Sequence, residues 1–587
     1  VSLSSNAGAL RDKFLKSDAT FLTGFALVIG AIAGLSSVGF RALIRFFNAV
    51  VAAPLVGLSQ RLLGSPLAGT FAGPAIGGLL VGLIAVFVFH KRRQTGVTDT
   101  IEILALQQRT FRFRDFLSML FLSSLTIGSG GSAGQEGPMV VLGASAGTLL
   151  GKRFRPSPER LRALAGCGIA GAIAAAFNAP LAGVFFAIEV VIGDWTLPSF
   201  APTVLASVVA TAVSRAAGYN VPTFQIRPYA VEHAWEIALY ALLGLLVGVI
   251  GFLYQRAFFA VEEFFERSSF KPWMTPAIGG CAVGAIGVFF PQVYGNGYET
   301  VTAALDGQLA VWVLLALVVA KTIATALTLG SRGWGGDLAP SLFVGAMLGG
   351  AVGLMGHQLF ASAGEGNYAL VGMAAFLSAV IHAPLTSILL AFEVTDNYRI
   401  ILPVMTAVVT ATLIARAFGA DSIYREKLRK RGVKLQGQRE DPLWKSLTVA
   451  AAMQKPEAPI PAHTPYREVI AALGRSRKPL AVVTGPDGRL RGVLYFEDLR
   501  EYLTSPDVSD VVVAEDLLEE TFPVLRPTDS LGDALTLFGR TDREAVVVVS
   551  PEDERKVVGV LSRRNVLDAY QRSRRASEAV TGGELFR

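Results

Sequence analysis

The sequence is short of the residues that most protein chemistry uses. Of 587 residues, two are cysteine and five are histidine. Cys167 and Cys281 both lie in apolar runs and read as small buried residues, so a disulfide framework is excluded. The histidines show no metal-ligand spacing, and no nucleophile–base constellation appears, which excludes the common metal and hydrolytic classes. Charge is scarce as well. Only 17% of residues are Asp, Glu, Lys or Arg, against 52% hydrophobic, a balance no ordinary soluble domain has. The start, "VSLSSNAGALRDKFLKSD", lacks a signal-peptide pattern and reads as a cytoplasmic lead-in helix over 1–18.

What is present is apolar and uneven. Runs at 21–44, 235–259, 309–330 and 401–418 are long enough to span a bilayer. Those at 75–89 and 137–151 are short or glycine-rich and suggest helices that stop partway. Residues 425–587 read as a soluble portion. Basic clusters at His90–Arg93, Lys152–Arg155 and Arg425–Arg431 mark loops facing the cytoplasm. They explain the net charge of +7, so nucleic acid is not implied as a partner. The expectation is a multi-pass protein of the cell inner membrane, with both termini cytoplasmic.

The apolar half repeats itself. "FNAPLAGVFFAIEVV" (177–191) matches "IHAPLTSILLAFEVT" (381–395), so that Ala179, Pro180, Leu181, Ala187, Glu189 and Val190 recur as Ala383, Pro384, Leu385, Ala391, Glu393 and Val394. Upstream, "GQEGPMVVLGASAGTLLG" (134–151) matches "GDLAPSLFVGAMLGGAVG" (336–353), with Gly134, Pro138, Gly143 and Gly147 answered by Gly336, Pro340, Gly345 and Gly349. The repeats, about 19–220 and 235–424, predict an all-α membrane domain over 19–424 made of two inverted units with broken helices. In such a domain Gly134–Pro138 and Gly336–Pro340 start helices at membrane depth. Two helix N-termini facing each other hold an anion without a buried lysine or arginine. The soluble part repeats too: "LAVVTGPDGRLRGVLYFEDLREYL" (480–503) matches "AVVVVSPEDERKVVGVLSRRNVLDAY" (545–570). That predicts a linker at 425–446, a tandem α/β unit over 447–571 (447–503 and 511–571) and a tail at 572–587.

"GSGGSA" fits a dinucleotide-binding pattern, but membrane-length flanks and the missing acid about 20 residues on argue against it. No Walker lysine follows. Close packing through small residues explains the glycines but not Glu136, and an ionisable group at membrane depth is a functional candidate.

At these residues the sequence resembles the ClC chloride channel and chloride/proton exchanger family. "QTGVTD" (94–99), "GQEGP" (134–138) and "GDLAP" (336–340) stand in the order of its three motifs. Tyr424 in "SIYREKL" stands for the tyrosine of its last membrane helix. The soluble half resembles the paired CBS domains many members carry. The resemblance implies a homodimer in the lipid bilayer with one pore per subunit. Glu136 would be the gate that competes with the anion and accepts a proton. Chloride would be held by Thr95 and Gly96, by Gly134, Gln135 and Gly137, by the N–H groups of Asp337 and Leu338, and by the Tyr424 hydroxyl. All these donors are neutral, which suits fast release. Thr95 replaces a serine, Thr98 a proline and Leu338 a phenylalanine. Asp337 would repel anions unless it turns away or pairs with a cation such as Arg332. Val190 occupies the place where exchangers carry an internal proton glutamate; Glu189 beside it reads as structural, because Glu393 repeats it.

The leading expectation is chloride-selective transport through a glutamate-gated pore, channel-like or weakly proton-coupled. A coupled chloride/proton antiporter is the alternative within the family. A CBS-regulated divalent-cation channel is the alternative of another class, and would need carboxylates or carbonyl ends at the centre. The CBS pair is either a sensor of an adenine nucleotide or a rigid dimer clamp. Its candidate nucleotide residues are Asp498, Ser562 and Asn565, although neither copy keeps the S/T-x-x-D pattern intact.

Overall fold

Glycine-broken apolar runs become helices of unequal length in the computed structural model. It describes residues 18–584 except 92, 107–110, 155–156, 194–196, 220–234, 361–364, 396–397, 434–443, 445–446, 476–478, 488, 500–511, 520, 542 and 554. The lead-in helix expected over 1–18 therefore lies, but for Asp18, outside the described residues. Among the described residues, seven helical segments are long and apolar enough to cross a membrane. The runs expected to span are found in the helices Asp18–Phe47, Glu236–Arg267, Val311–Gly330 and Ile401–Ala417. The run at 75–89 does not stop partway. Its helix begins at Leu67 and continues through Pro74, so Leu67–Val88 is long enough to cross. The Glu136–Lys152 helix is shorter and absent from the seven.

The sequence repeat is carried through into packing. The Glu136–Lys152 helix lies along Pro158–Phe177, and its copy Leu338–Phe360 lies along Glu365–Ile381. Likewise Asp18–Phe47 packs on Leu197–Ala216, and Glu236–Arg267 on Ile401–Ala417. The repeated glycines set how closely the first two pairs approach. A Cβ on Gly143 would stand 2.2 Å from the Gly168 carbonyl oxygen, and one on Gly345 would stand 2.5 Å from that of Gly372. Only a hydrogen fits there, so the helix backbones touch.

The "NAPL" and "HAPL" segments are equally matched. Asn178 and His382 take left-handed conformations, with φ of 59° and 56°. Each ends one helix and lets the next begin at Pro180 or Pro384, where proline has no N–H to lose. The new helix ends are capped across the repeat. Glu189 accepts the N–H groups of Leu385 (3.2 Å) and Thr386 (2.8 Å). Glu393 accepts those of Leu181 (2.8 Å) and Ala182 (2.7 Å). A carboxylate on a helix N-terminus satisfies free donors and meets the positive end of the dipole. The structural reading of Glu189 thus has a geometric cause.

Compactness divides the chain between Leu435 and Gln436. The stretch expected as linker from 425 is still helical at first: Ile423–Lys430 is a helix with Tyr424 and Leu428 buried in the first unit. Ile423, Tyr424 and, one turn on, Leu428 bury and hold it there, a pattern hidden in a short basic segment.

The second unit contains two three-stranded sheets of the same order. Ile460–Pro461 runs parallel to Leu480–Thr484, which pairs antiparallel with Leu490–Tyr495. Val524–Leu525, Ala545–Val549 and Val557–Ser562 repeat this. The copies are exchanged at their leading segments: Thr448 and Gln454 bridge to Ser530 and Val560 of the second copy, while Val513 and Glu519 bridge to Pro465 and Val493 of the first. Leu480, Val482, Val547 and Val549 share one core, so the copies form a single α/β unit.

The crossed caps give a stability test. Glu393→Ala leaves the N–H groups of Leu181 and of buried Ala182 without their acceptor, costing about 2 kcal/mol. Thermal unfolding in detergent should show a Tm lowered by several degrees. Glu189→Ala should match it through Leu385 and Thr386, and each glutamine variant should lose less. Unchanged Tm in both alanine variants would mean that the caps do not hold the repeats together.

Candidate functional site

The site forms where the two broken helices begin. Residues 131–148 and 333–351 are buried without interruption, so their backbone groups must find partners within the protein. They find them in each other. Gly134 and Gly336 exchange N–H···O bonds of 2.7 and 2.8 Å, forming a two-residue antiparallel bridge. The Ser132 N–H donates to Thr328 Oγ1 (3.0 Å), and the Trp334 N–H donates to Thr126 Oγ1 (3.3 Å). Gly137 lies so close that a Cβ on Gly336 would come within 2.5 Å of its nitrogen. No side chain fits, which accounts for glycine at both positions.

Glu136 is the first residue of its helix and is fully buried. Its carboxylate reaches the start of the other repeat's helix, where Oε2 accepts the Ala339 N–H at 3.3 Å. The Tyr298 hydroxyl donates to Oε1. The expectation for the third motif named the N–H groups of Asp337 and Leu338 as donors to the anion. Ala339, one turn position further, is the N–H that the carboxylate occupies. Among the described residues, nothing accepts the N–H groups of Asp337 and Leu338, which remain free donors at a helix N-terminus.

Tyr298 was not signalled by the sequence. It follows Gly297 at the start of the helix Tyr298–Leu305, in a stretch "YGNGYET" that no repeat marks. Lys321, fully buried, fixes that stretch by donating to the Val293 (2.9 Å) and Gly295 (2.8 Å) carbonyls. Arg41 was missed too. It donates to the Ala175 and Ala176 carbonyls at 2.7 and 2.6 Å and lies near enough to act on Glu136 electrostatically.

Several other expectations are modified. The Gly134 N–H is committed to Gly336, and the Gly96 N–H donates to Asp99 Oδ2 at 2.8 Å, so neither is free for an anion. Gln135 is buried beside the Tyr298 hydroxyl. The Thr95 hydroxyl has a charged neighbour. After a left-handed turn at His90 (φ 47°), Lys91 turns inward, pairs with Asp115 at 2.7 Å and donates to Thr95 Oγ1 at 3.1 Å. The sequence cluster "HKRR" read as a loop because it does not reveal where one stem points. Asp337 pairs with the Tyr424 hydroxyl, which donates to Oδ1 at 3.0 Å, and not with Arg332. Val190 is half-buried in the π-helical turn Ala187–Ile192.

A cavity of about 240 Å³ leads to this centre. Its lining includes half-buried Gly96 and the buried Gly137, Gly336, Asp337 and Tyr424, and Arg93, Lys427, Lys430 and Arg431 lie among its charged wall residues. Thr95 is not on its wall; Gln94, Gly96 and Thr98 are.

The candidate nucleotide residues lie in the second unit and are already engaged. Arg543 donates to both Asp498 oxygens at 2.9 Å and to Glu519 at 3.0 Å. The Asp498 hydrogen bond raises Arg543 above its ordinary pKa, and burial pushes the Tyr495 phenol beneath it up to about 12. Ser562 Oγ donates to Asn565 Oδ1 at 2.5 Å and accepts the Asn565 N–H at 3.2 Å.

Comparison with known proteins agrees with this architecture. A family model described as voltage gated chloride channel matches residues 77–416, and one described as CBS domain matches 513–572. A protein of Ralstonia nicotianae, described as a putative chloride channel protein ClcB-like, is 35% identical over 421 residues, 70% of this chain and 97% of that protein. The crystal structure of a slow cyanobacterial Cl−/H+ antiporter superposes with a TM-score of 0.64 at 27% identity, covering 70% of this chain and 97% of that one. A eukaryotic CLC transporter, at 21% identity and a TM-score of 0.61, covers 93% of this chain and 97% of its own, and shows the shared fold.

Proposed function

The chain belongs to the voltage-gated chloride channel family as a multi-pass membrane protein with C-terminal CBS domains, and from that premise we propose that it carries chloride through a pore gated by Glu136. The supporting observation is the Glu136 carboxylate on the Ala339 N–H. A helix N-terminus favours an anion, so the ionised carboxylate takes the place that chloride would take. Protonation removes its charge and weakens that hold. The side chain then yields the helix end to chloride, and flux rises with acid. Tyr298 is the second donor that keeps the gate shut. Asp337 and Leu338 supply the free N–H groups beside it. We read the functional form as a homodimer with one pore in each subunit, in the cell inner membrane with cytoplasmic termini.

Transport is channel-like or weakly proton-coupled on this reading, because Val190 offers no titratable group between the inner solution and Glu136. Full chloride/proton exchange is the second reading, supported by the likeness to the cyanobacterial antiporter. The CBS unit acts as a clamp, since Arg543 already satisfies Asp498 where a ribose would bind.

Glu136→Gln should raise chloride flux from liposomes at neutral pH to near its acid level and remove the greater part of its pH dependence. Retention of the full wild-type profile would exclude Glu136 as the gate. Under opposed chloride and proton gradients, the reversal potential of the wild type should lie near the chloride equilibrium value. A fixed chloride-to-proton stoichiometry would favour the exchanger. ATP or AMP at about 1 mM should leave the Tm of the full chain unchanged, whereas a ligand at 100 times its Kd would add about 2.7 kcal/mol. A rise of several degrees would make the CBS pair a nucleotide sensor.

A further inference from the structure

Three arginines meet at the end of the Pro158–Phe177 helix. Arg41, in the last two turns of Asp18–Phe47, donates through Nη2 to the Ala175 and Ala176 carbonyls at 2.7 and 2.6 Å. Arg215, at the end of Leu197–Ala216, donates through Nε to Asn178 Oδ1 at 2.7 Å. Arg45, one turn beyond Arg41, donates to the Tyr219 hydroxyl. The Tyr219 ring lies under both guanidinium groups, 4.5 Å from that of Arg41 and 5.8 Å from that of Arg45. The last carbonyls of a helix favour a cation, and Arg41 alone binds two of them. Capping therefore does not account for the other two arginines, nor for Arg41 Nη1 and Nε, which have no acceptor among the described residues.

The cluster stands level with the gate. Gly143 packs on Gly168 and Gly147 on the Leu164 carbonyl, so the Glu136–Lys152 and Pro158–Phe177 helices run antiparallel. The same register, carried to the helix start, sets Glu136 across from Ala175. Glu136 and Tyr298 are accordingly within electrostatic reach of Arg41. Arg41 does not line the 240 Å³ cavity, which touches Gly137. The opposite end of its helix packs near the Lys152 end of the membrane unit, where Phe25 meets Phe154 at 4.9 Å. Exposure is graded towards the gate: Arg45 and Arg215 are exposed, Arg41 is half-buried and Glu136 is fully buried. None of the three arginines has a carboxylate partner among the described residues. Glu393, within reach of Arg215, is engaged by the Leu181 and Ala182 N–H groups. Arg41 and Arg45 repel each other over one ring, and an anion beside them relieves that repulsion.

We propose that Arg41, Arg45 and Arg215 form a docking site for small inorganic anions, which collects chloride on the side of Glu136 away from the cavity and delivers it to the gate. The inference rests on the chloride-pore reading above and adds to it a second binding position of different chemistry. Arg45 and Arg215 raise the local anion concentration from solution, and the unpaired Arg41 nitrogens hold the ion next to Glu136. The site is open to water, so its attraction is screened and the ion leaves readily. Its task is to collect the anion; the neutral N–H groups beyond Glu136 hold it in passage.

The test uses the full chain in liposomes at neutral pH, in the Glu136→Gln background so that the gate does not intervene. At about 5 mM chloride and an ionic strength of about 0.01 M, where the Debye length is about 30 Å, adding Arg41→Gln should lower chloride flux about fivefold. Raising the ionic strength to about 1 M with a bulky organic salt shortens that length to about 3 Å and should bring the two within about twofold. At saturating chloride their fluxes should agree. Arg41→Lys keeps the charge and should stay near its parent. Arg45→Gln, which breaks no carbonyl bond, should lose about twofold with the same salt dependence, and it decides the matter should Arg41→Gln not fold. Equal flux in the Gln variants and their parent at low salt, a loss that salt does not change, or an equal loss in Arg41→Lys overturns the proposal. A wild-type pH profile retained in Glu136→Gln is a different failure, that of the Glu136 gate.

Discussion

Everything in the membrane unit depends on one constraint: a helix broken inside an apolar protein must find partners for its backbone groups without water. Here each repeat supplies them to the other. Gly134 and Gly336 exchange two backbone bonds, and Thr126 and Thr328 accept the Trp334 and Ser132 N–H groups. Glu189 and Glu393 cap the Pro384 and Pro180 helices. Each contact has its counterpart about 202 or 204 positions away. A duplicated unit that packs about a pseudo-twofold axis gains two satisfied groups for every favourable substitution.

The same constraint locates the site. The Gly134 and Gly336 N–H groups are committed to each other; those of Asp337 and Leu338 have no acceptor among the described residues, and the next, of Ala339, is held by Glu136. The central anion-binding position proposed above would therefore arise from incomplete backbone pairing at a helix end, not from a cluster of fixed cations. The buried cations have other tasks. Lys321 braces the loop that delivers Tyr298, and Lys91 is paired with Asp115. Weak, neutral binding at the centre is compatible with rapid passage, whereas a fixed ion pair would trap the ion.

Much of this was legible in the sequence. The repeat is visible because packing needs small residues at fixed places, such as Gly143 and Gly345, and because Glu189 and Glu393 do the same work in both halves. Glu136 stood out as a carboxylate among glycines. Other features left no such trace. Tyr298 and Arg41 reach Glu136 from elements far away in sequence, and neither has a marked motif. Lys91 looked like part of a basic loop, since composition does not record the left-handed turn that directs it inward. The stretch expected as linker, 425–446, contains the division between the units, but its first residues belong to the helix Ile423–Lys430, whose basic residues hide the three positions, Ile423, Tyr424 and Leu428, that bury.

The sequence by itself determined the family, the duplication, the two broken-helix segments and the glutamate at one of them, because each is a local pattern under steric or solvation constraint. Only the tertiary structure decided which donors remain free. It committed Gly134 and Gly96, set the Glu136 carboxylate on the Ala339 N–H, turned Thr95 towards Lys91 and gave Asp337 the Tyr424 hydroxyl. Hydrogen bonds are exclusive: a donor spent on one acceptor is lost to another. That accounting closes only when residues hundreds of positions apart are brought together.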